Sequence, residues 1–232
     1  MRETAVQRLK NRDYFASMML HKGHADMMIA GFSTHYVESL RIILEVFGTA
    51  TGISQVSSYY LVLLPKDVVA IADCAVNINP NAEEFAEIAI LTATKFRTLG
   101  FDPRVAMLSF SSFGSVDHPN TIKVRRATDI VKEKYPTLEI DGEMQLSAAR
   151  NMDLRKNYFP FTTLQSDANV LIFPELQSGN LTMHSLQFMA EAIPIGPMLI
   201  GTRLPAHLLQ YGASVEEVVN LVTVSSVDAA TK

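Results

Sequence analysis

Short apolar runs alternate along this chain with longer segments in which apolar residues recur at helical spacing. The runs predict strands because turn residues flank them and aliphatic residues fill them, and they lie at residues 59–64, 68–76, 105–109, 138–142 and 168–174. The amphipathic segments predict helices, at residues 4–20, 33–47, 79–100, 121–135, 183–192 and 214–222. Two shorter apolar segments, at residues 26–31 and 195–201, complete the pattern.

This alternation predicts an α/β fold. Strands that are apolar throughout and that alternate with amphipathic helices form a mainly parallel sheet with helices on both faces. Ligands of such sheets bind beyond the carboxyl ends of the strands. The sequence contains no internal repeat, low-complexity tract or flexible linker that would mark a domain boundary.

Local signals fix several of the predicted helix ends. Ser33 or Thr34 is the natural N-cap of the second helix, and Gly48 lies just past its end. Ser214 begins the last helix and has Glu217 three residues on, which is a capping-box pattern.

Composition narrows the class of protein. The 232 residues are 48% hydrophobic, which is ample for a buried core, and the formal net charge of −4 argues against nucleic acid or an anionic membrane as the main partner. The N-terminus lacks an apolar signal core, and no apolar run approaches the roughly 18 residues of a membrane span. We therefore expect a cytoplasmic protein. The single cysteine, Cys74, cannot form an internal disulfide, and we interpret it as a small buried residue.

A serine-rich segment is the clearest candidate site. An apolar run from Val105 leads into four serines and a glycine, and a helical segment follows. Hydroxyls and free backbone amides between a strand and a helix are suited to an anion, so the segment predicts a phosphate site. The alternative is a plain solvated turn. The candidate ligand residues are Ser109, Ser111, Ser112, Gly114 and Ser115.

Several strings, in their order and spacing, resemble the phosphate acetyl/butyryltransferase family from about Arg2 to Val227. They are Tyr14-Phe-Ala-Ser-Met-Met19, Gly23-His-Ala-Asp26, Gly31-Phe-Ser-Thr34 with Leu40-Arg41, Ala72-Asp-Cys-Ala-Val-Asn77, Pro103-Arg-Val-Ala-Met-Leu-Ser-Phe-Ser-Ser-Phe-Gly-Ser115, Asp141-Gly-Glu143, Ala168-Asn-Val-Leu-Ile-Phe-Pro174 and Gly179-Asn180.

The resemblance implies two α/β subdomains with a cleft between them that binds coenzyme A, acetyl phosphate and phosphate. Residues 51–194 would form the second subdomain, and residues 1–50 together with 195–232 the remnant of the first. It also implies that Ser33, Thr34, Arg41 and Asn180 join the serine segment in binding acetyl-CoA or phosphate. A surface helix arginine remains the alternative for Arg41, and a plain turn the alternative for Gly179-Asn180.

One segment departs from the family. Active members carry a Lys-Pro-Val-x-Asp-Leu-Ser-Arg-Gly motif whose serine and arginine serve catalysis, with an acidic residue shortly after. Here Gln210 stands at the serine position, Tyr211 at the arginine and Leu208 at the aspartate, while Glu217 preserves an acid nearby. A neutral phenol cannot stabilise developing charge as a guanidinium does, so we expect these degenerate positions to impair acyl transfer.

This variant segment is similar to the phosphotransacetylase-like C-terminal domain of bacterial hybrid NADP-dependent malic enzymes. The leading hypothesis is accordingly a non-catalytic, acetyl-CoA-sensing regulatory and oligomerisation domain, cut from a malic enzyme that oxidatively decarboxylates malate. Met1 would then start a fragment that bears no cofactor, with acetyl-CoA as effector, NADP and a divalent metal confined to the missing part, and homo-oligomers and the malic enzyme domain as partners. The alternative is an active phosphate acetyl/butyryltransferase, and a scaffold without ligand is a third possibility.

Other candidate groups carry less weight. Asp141 and Glu143 could act as a general acid and base, but we favour a structural role at a strand end, where they accept hydrogen bonds from backbone amides. His21 and His24 lack a third clustered ligand, so we expect no metal site. No spacing selects a Ser/His/Asp triad.

Overall fold

The computed structural model describes residues 2–230. The chain divides into two compact units, one running to Val56 and resuming at Ile195, the other covering Ser57–Pro194. In chain order the elements are α1 (Arg2–Arg8), α2 (Arg12–His21), β1 (Met28–Gly31), α3 (Tyr36–Val46), β2 (Ser57–Leu63), β3 (Val68–Ala72), α4 (Ala82–Thr98), β4 (Arg104–Leu108), α5 (Pro119–Lys134), β5 (Glu139–Met144), α6 (Leu146–Ala149), α7 (Met152–Tyr158), β6 (Val170–Ile172), α8 (Leu176–Met189), β7 (Ile193–Ile200), β8 (Ala206–Leu209) and α9 (Val215–Ala230).

The larger unit is built on a mostly parallel sheet, which confirms the predicted α/β class. Its strands lie in the order β5-β4-β6-β3-β2, with β5, β4, β6 and β3 parallel and β2 antiparallel to β3. On one face, Ile71 and Leu108 pack in a cluster with Ala148 of α6 and Met183 of α8. Their near-complete burial makes this cluster a main source of the unit's stability, since each large aliphatic side chain contributes about 1.5–3 kcal/mol.

The smaller unit contains a parallel strand pair. Strands β1 and β8 pair from Met28 opposite Ala206 to Gly31 opposite Leu209. Any side chain at Gly31 would collide with the Leu209 backbone carbonyl, and its φ of 92° also favours glycine. Because Gly31 and Leu209 are the last residues of their strands, both strands end together, and the loops that follow them begin at the same edge.

Two predicted helices have different bounds in the structure. The segment 4–20 is two helices rather than one, because the Asn11 side chain accepts hydrogen bonds from the N–H groups of Asp13 and Tyr14 and so starts α2 afresh. The helix predicted over residues 33–47 is α3, which begins at Tyr36. Its N-cap is His35, so neither Ser33 nor Thr34 caps it. The Ser214–Glu217 capping box forms as predicted.

Helix α8 begins at Leu176, well before the predicted start at residue 183. The Glu175 carboxylate caps it by accepting from the N–H groups of Gln177 and Ser178, so Gly179 and Asn180 lie in its first turns instead of a plain turn. A Cβ at Gly179 would clash with the Asp73 backbone oxygen. Gly179 is thus required by the close approach of α8 to the end of β3.

We predict that Gly179→Ala destabilises the protein, although alanine in place of glycine normally stabilises a helix by about 1 kcal/mol. The clash with Asp73 reverses the sign, and the expected loss in free energy of unfolding is about 1–3 kcal/mol, as for other overpacked sites. Urea denaturation measures it. The control is Ser185→Ala, at an exposed position of the same helix, which should change stability by less than about 0.5 kcal/mol. Equal stability of Gly179→Ala and the native chain would contradict the packing argument.

Candidate functional site

The larger unit has a cavity of about 520 Å³ at the carboxyl ends of its parallel strands. Strand β4 leads into it at Ser109 and strand β6 at Pro174, which is where open α/β sheets bind ligands. Its volume lies within the usual range for small-molecule sites. The lining residues are Ile78, Asn79, Leu108, Ser109, Phe110, Asn120, Lys123, Leu146, Phe173, Pro174, Glu175 and Ser178.

Lys123 is the cation of this cavity, and it was not singled out from the sequence. Its Nζ donates to Asn79 Oδ1 at 3.0 Å and to the Pro174 carbonyl at 2.8 Å, both of them neutral acceptors. Burial lowers the pKa of Lys123, and the nearby Glu175 carboxylate acts in the opposite direction. The Glu175 carboxylate is itself held by two backbone N–H groups of α8, which offset its charge. An anionic ligand group therefore has an available positive partner here.

The serine segment does not present all of its polar groups to the cavity. Ser109 lines it, but Ser111 is fully buried and donates to Glu143 Oε1 at 2.9 Å. The same carboxylate oxygen accepts from the Gly114 N–H at 2.8 Å. A buried side-chain anion thus occupies donors that were predicted to serve a ligand.

The rest of the serine segment is also engaged internally. Ser115 Oγ lies 3.0 Å from Ser111 Oγ, and Ser112 Oγ accepts from the Gln145 N–H at 3.0 Å. Of the five predicted residues, the structure brings Ser109 alone to the described cavity lining. Ligand contact by the other four remains a prediction.

Asp141 and Glu143 both accept backbone hydrogen bonds, as the structural interpretation expected. Asp141 accepts from the Thr163 N–H at 2.8 Å and from Lys132 Nζ at 2.7 Å. Burial by itself would raise the pKa of Asp141, but the Lys132 and Thr163 hydrogen bonds outweigh it, and the pKa lies below its ordinary value. A carboxylate held in its ionised form in this way organises the strand end rather than transferring protons.

A hydrogen bond joins the Asn180 side chain to the backbone of Cys74. Asn180 Nδ2 donates to the Cys74 backbone carbonyl at 3.2 Å, so it ties α8 to the segment after β3, and it is not among the described cavity residues. Cys74 is fully buried, and burial together with the Asp73 charge raises its pKa well above the ordinary value. The interpretation of Cys74 as a small buried residue is confirmed. The strand predicted over residues 68–76 is shorter, however, because β3 ends at Ala72, and Cys74 lies beyond it.

The smaller unit has its own cavity, of about 420 Å³, where β1 and β8 end. Parallel pairing brings Thr34 beside Gln210 and Tyr211, which are far apart in sequence. The rings of His35 and Tyr211 meet edge to face with centroids 5.6 Å apart. The degenerate motif positions therefore do line a cavity, together with one of the predicted ligand residues. Glu217, by contrast, serves the capping box of α9.

Two arginines of this unit differ in their placement. Arg12, which no sequence signal singled out, donates from its guanidinium to the Ser33 hydroxyl. Arg41 lies exposed on α3, and its charge acts on Tyr14 and Glu45 rather than at the described lining of the Thr34 cavity. Only tertiary structure pairs Arg12 with Ser33, since they lie on different elements. The predicted ligand role of Arg41 stays a prediction.

The part of the chain that the structure describes, residues 2–230, contains no group of three or more His, Cys, Asp or Glu side chains placed to hold a metal ion. None of the helices in these residues combines the length and apolar character that a bilayer crossing demands.

The fold and the two cavities together place the chain among α/β proteins with ligand-sized cavities at the carboxyl ends of their parallel strands. Within that class, the chain matches the model of the phosphate acetyl/butaryl transferase family over residues 1–226, and it belongs to this family. A phosphotransacetylase from Streptococcus pyogenes has the same fold, with a TM-score of 0.95 and 35% identity, over 100% of this chain and 71% of that one.

Curated relatives of similar sequence support the same family assignment. The phosphate acetyltransferase of Nitratidesulfovibrio vulgaris is 40% identical over 98% of this chain and 32% of its own length. The NADP-dependent malic enzyme of Escherichia coli is 37% identical over 97% of this chain and 30% of its own length. The chain thus spans about a third of the length of these two relatives.

The malic enzyme hypothesis is corrected by these findings. Phosphate acetyltransferases match nearly the whole chain at 35% to 40% identity, whereas the malic enzyme is one match among them. The leading interpretation from sequence, a non-catalytic regulatory domain, was therefore wrong, and the alternative of an acyltransferase is the better supported one. That interpretation rested on two short strings, residues 204–212 and the Ser-x-Phe-Gly-Ser of residues 111–115, whereas the similarity to phosphate acetyltransferases extends over nearly the whole chain.

We predict that Ser111→Ala lowers the free energy of unfolding by about 1–3 kcal/mol, because it leaves a fully buried carboxylate, Glu143, short of one donor. Urea denaturation tests this. The matched control is Ser147→Ala, at an exposed position of α6, with an expected change below about 0.5 kcal/mol. If the two variants lose the same stability, the Glu143 network is not what holds the serine segment.

Proposed function

We propose that this chain transfers an acyl group between coenzyme A and phosphate. The observation that carries the proposal is the extent of the family match, which covers residues 1–226 and includes the segments around both cavities. Related proteins named phosphate acetyltransferase resemble the chain over almost all of its length. Acetyl-CoA, or another short acyl-CoA, is then a substrate rather than an effector.

The reaction has three chemical needs. The thiolate sulfur of coenzyme A attacks the acyl carbon of the acyl phosphate, the carbon–oxygen bond to phosphate breaks, phosphate leaves, and the thiol proton passes to an acceptor. The site therefore needs cationic donors for phosphate, an acceptor near the thiol, and apolar surface for the long neutral part of coenzyme A. Each unit by itself offers a suitable cation: Lys123 lines the cavity of the larger unit, and Arg12 donates to Ser33 within the smaller unit.

The larger cavity also suits the non-reacting part of coenzyme A. Phe110 and Phe173 provide apolar surface, while Ser109 and Asn120 provide hydrogen-bonding groups at the same cavity. A few polar groups in a mostly apolar lining are typical of cofactor sites. Lys123 would pair with a phosphate of the ligand at this cavity.

Gln210 and Tyr211 set an expectation for the rate. The Tyr211 hydroxyl can donate a hydrogen bond but carries no positive charge at neutral pH, so it would stabilise the developing negative charge of the transition state less well than an arginine. The transferase should accordingly be slow, and the smaller unit's cavity is where its rate can be raised.

Self-association is a further expectation that carries over from the sequence. It rests on three segments rich in Met, Leu, Ile and Phe, at residues 18–20, 42–47 and 186–200. In the second of these segments, Ile42, Ile43 and Phe47 are buried within their own unit. Phe188 and Met189 at the end of α8 are 76% and 84% exposed, so they are the better candidates for a contact with a second copy.

We predict that the native chain forms acetyl-CoA from acetyl phosphate and coenzyme A. In the double variant Gln210→Ser/Tyr211→Arg, kcat should rise by about tenfold or more. A new positive charge that stabilises the transition state by ~1.4 kcal/mol gives a factor of that size. A coupled thiol assay measures it. The control, Gln177→Ser/Tyr158→Arg, makes the same changes at exposed positions and should leave kcat unchanged. No acetyl-CoA above background with either the native chain or the double variant would disprove the proposed function.

We also predict that Lys123→Gln weakens coenzyme A binding by about tenfold, because it removes a charge-assisted hydrogen bond. Calorimetric titration measures the affinity, and thermal unfolding in parallel shows whether loss of the Asn79 and Pro174 contacts disturbs the fold. Lys134→Gln, at the exposed end of the same helix, is the control and should bind as the native chain does. Unchanged affinity in Lys123→Gln would remove Lys123 from the site.

A further inference from the structure

A chain of three polar side chains leads from the interior of the smaller unit to its cavity. Asp13 of α2 is 4% exposed and Ser39 of α3 is completely buried. Ser39 Oγ donates to Asp13 Oδ2 at 2.6 Å, and Ser39 Oγ lies 3.0 Å from Thr34 Oγ1. Thr34 lines the cavity beside Gln210 and Tyr211. The three groups come from two helices and the loop after β1.

The chemistry of these groups fixes the direction of both hydrogen bonds. An ionised carboxylate only accepts, and a serine hydroxyl has a single hydrogen to donate. Because Ser39 donates that hydrogen to Asp13, its oxygen can only accept from Thr34. Thr34 therefore donates inward, and the free lone pairs of its hydroxyl are what it can offer to the cavity.

The position of Asp13 supports its role as the fixed acceptor at the end of the chain. It lies in the first turn of α2, where the helix dipole favours a negative charge. Thr34 is free to take part because His35, and not Thr34, occupies the N-cap position of α3. Its hydroxyl therefore has no competing capping bond.

We propose that Asp13 and Ser39 are positioning residues that hold Thr34 as a hydrogen-bond acceptor toward the cavity. Thr34 then binds a donor, and the unprotonated oxygens of a phosphate group, which only accept, are disfavoured at this point. This part of the proposal rests on the proposed function: the donor is the thiol or an amide N–H of the neutral arm of coenzyme A. Thr34 thereby becomes a determinant that separates the coenzyme A arm from phosphate, whereas the sequence expectation, a contact to acetyl-CoA or phosphate, left the two ligands open.

The test uses the full chain and two probes, coenzyme A and inorganic phosphate, each titrated by calorimetry. Thr34→Val, which keeps the shape and removes the hydroxyl, should weaken coenzyme A binding about fivefold, the value of one neutral hydrogen bond, and leave phosphate affinity unchanged or higher. Ser39→Ala should weaken coenzyme A binding by a smaller factor. Added to the Thr34→Val variant, it should have no further effect, because it acts only through the Thr34 hydroxyl.

Ser17→Ala is the matched control. Ser17 is a second fully buried serine of the same unit, and its hydroxyl contacts Met28 instead of this chain of groups. It should leave both affinities unchanged. If Thr34→Val weakens phosphate as much as coenzyme A, or if Ser39→Ala weakens coenzyme A equally in the native chain and in the Thr34→Val variant, the proposal is wrong.

Stability gives a readout that needs no ligand. Thr34→Val and Ser39→Ala remove two ends of one hydrogen bond, so their effects on the free energy of unfolding should be non-additive. Additive effects would overturn the chain of hydrogen bonds itself. Non-additive effects together with no binding of coenzyme A by the native chain would confirm the chain but overturn the ligand assigned to Thr34, and with it the proposed function.

Discussion

Parallel strand pairing is the constraint on which both candidate sites depend. In the larger unit β4 and β6 run side by side, and in the smaller unit β1 and β8 do the same, so in each case the strands end at one edge. Chain that continues beyond that edge must turn there, and its backbone amides and polar side chains gather at one place. Gly31 shows how tight this requirement is, because the pairing leaves no room for a side chain opposite Leu209. Neither cavity would exist with the strands shifted or reversed.

Buried carboxylates organise the loops that surround these edges. Glu143 holds the serine segment through Ser111 and Gly114, and Asp13 holds Ser39. Asp73 accepts from the backbone N–H groups of three residues that follow β3, at positions 75–77. Each anion would be costly to bury alone, and each is compensated by hydroxyl or amide donors. These networks determine which hydroxyls remain free for a ligand and which direction their hydrogens point.

This distinction matters for the chemistry of an acyltransferase. A hydroxyl is commonly regarded as able to donate or accept as the ligand requires, but a hydroxyl anchored to a carboxylate has only one choice left. Ser111 donates its hydrogen directly to Glu143. Thr34 is linked to Asp13 through Ser39, which leaves the Thr34 hydroxyl only its lone pairs to offer to a ligand. Cations have the opposite character, since they only donate: Lys123 donates to Asn79 within the larger unit, and Arg12 donates to Ser33 within the smaller one.

The residue pattern was enough to predict the α/β class, most strands and helices, the burial of Cys74 and the resemblance to the phosphate acetyl/butyryltransferases. Apolar periodicity and contiguous motifs involve residues that are close in sequence, so they can be recognised without the structure. The residue pattern did not reveal β8, whose four residues were read only as a degenerate motif, nor Lys123 and Arg12, which look like ordinary surface cations. It also placed Thr34 at a helix cap, where His35 lies instead, and it gave no sign of the hydrogen bonds from Thr34 to Ser39 and from Ser111 to Glu143. Hydrogen-bond partners of buried polar groups are set by packing in three dimensions, so they follow from the folded arrangement and not from the residue pattern.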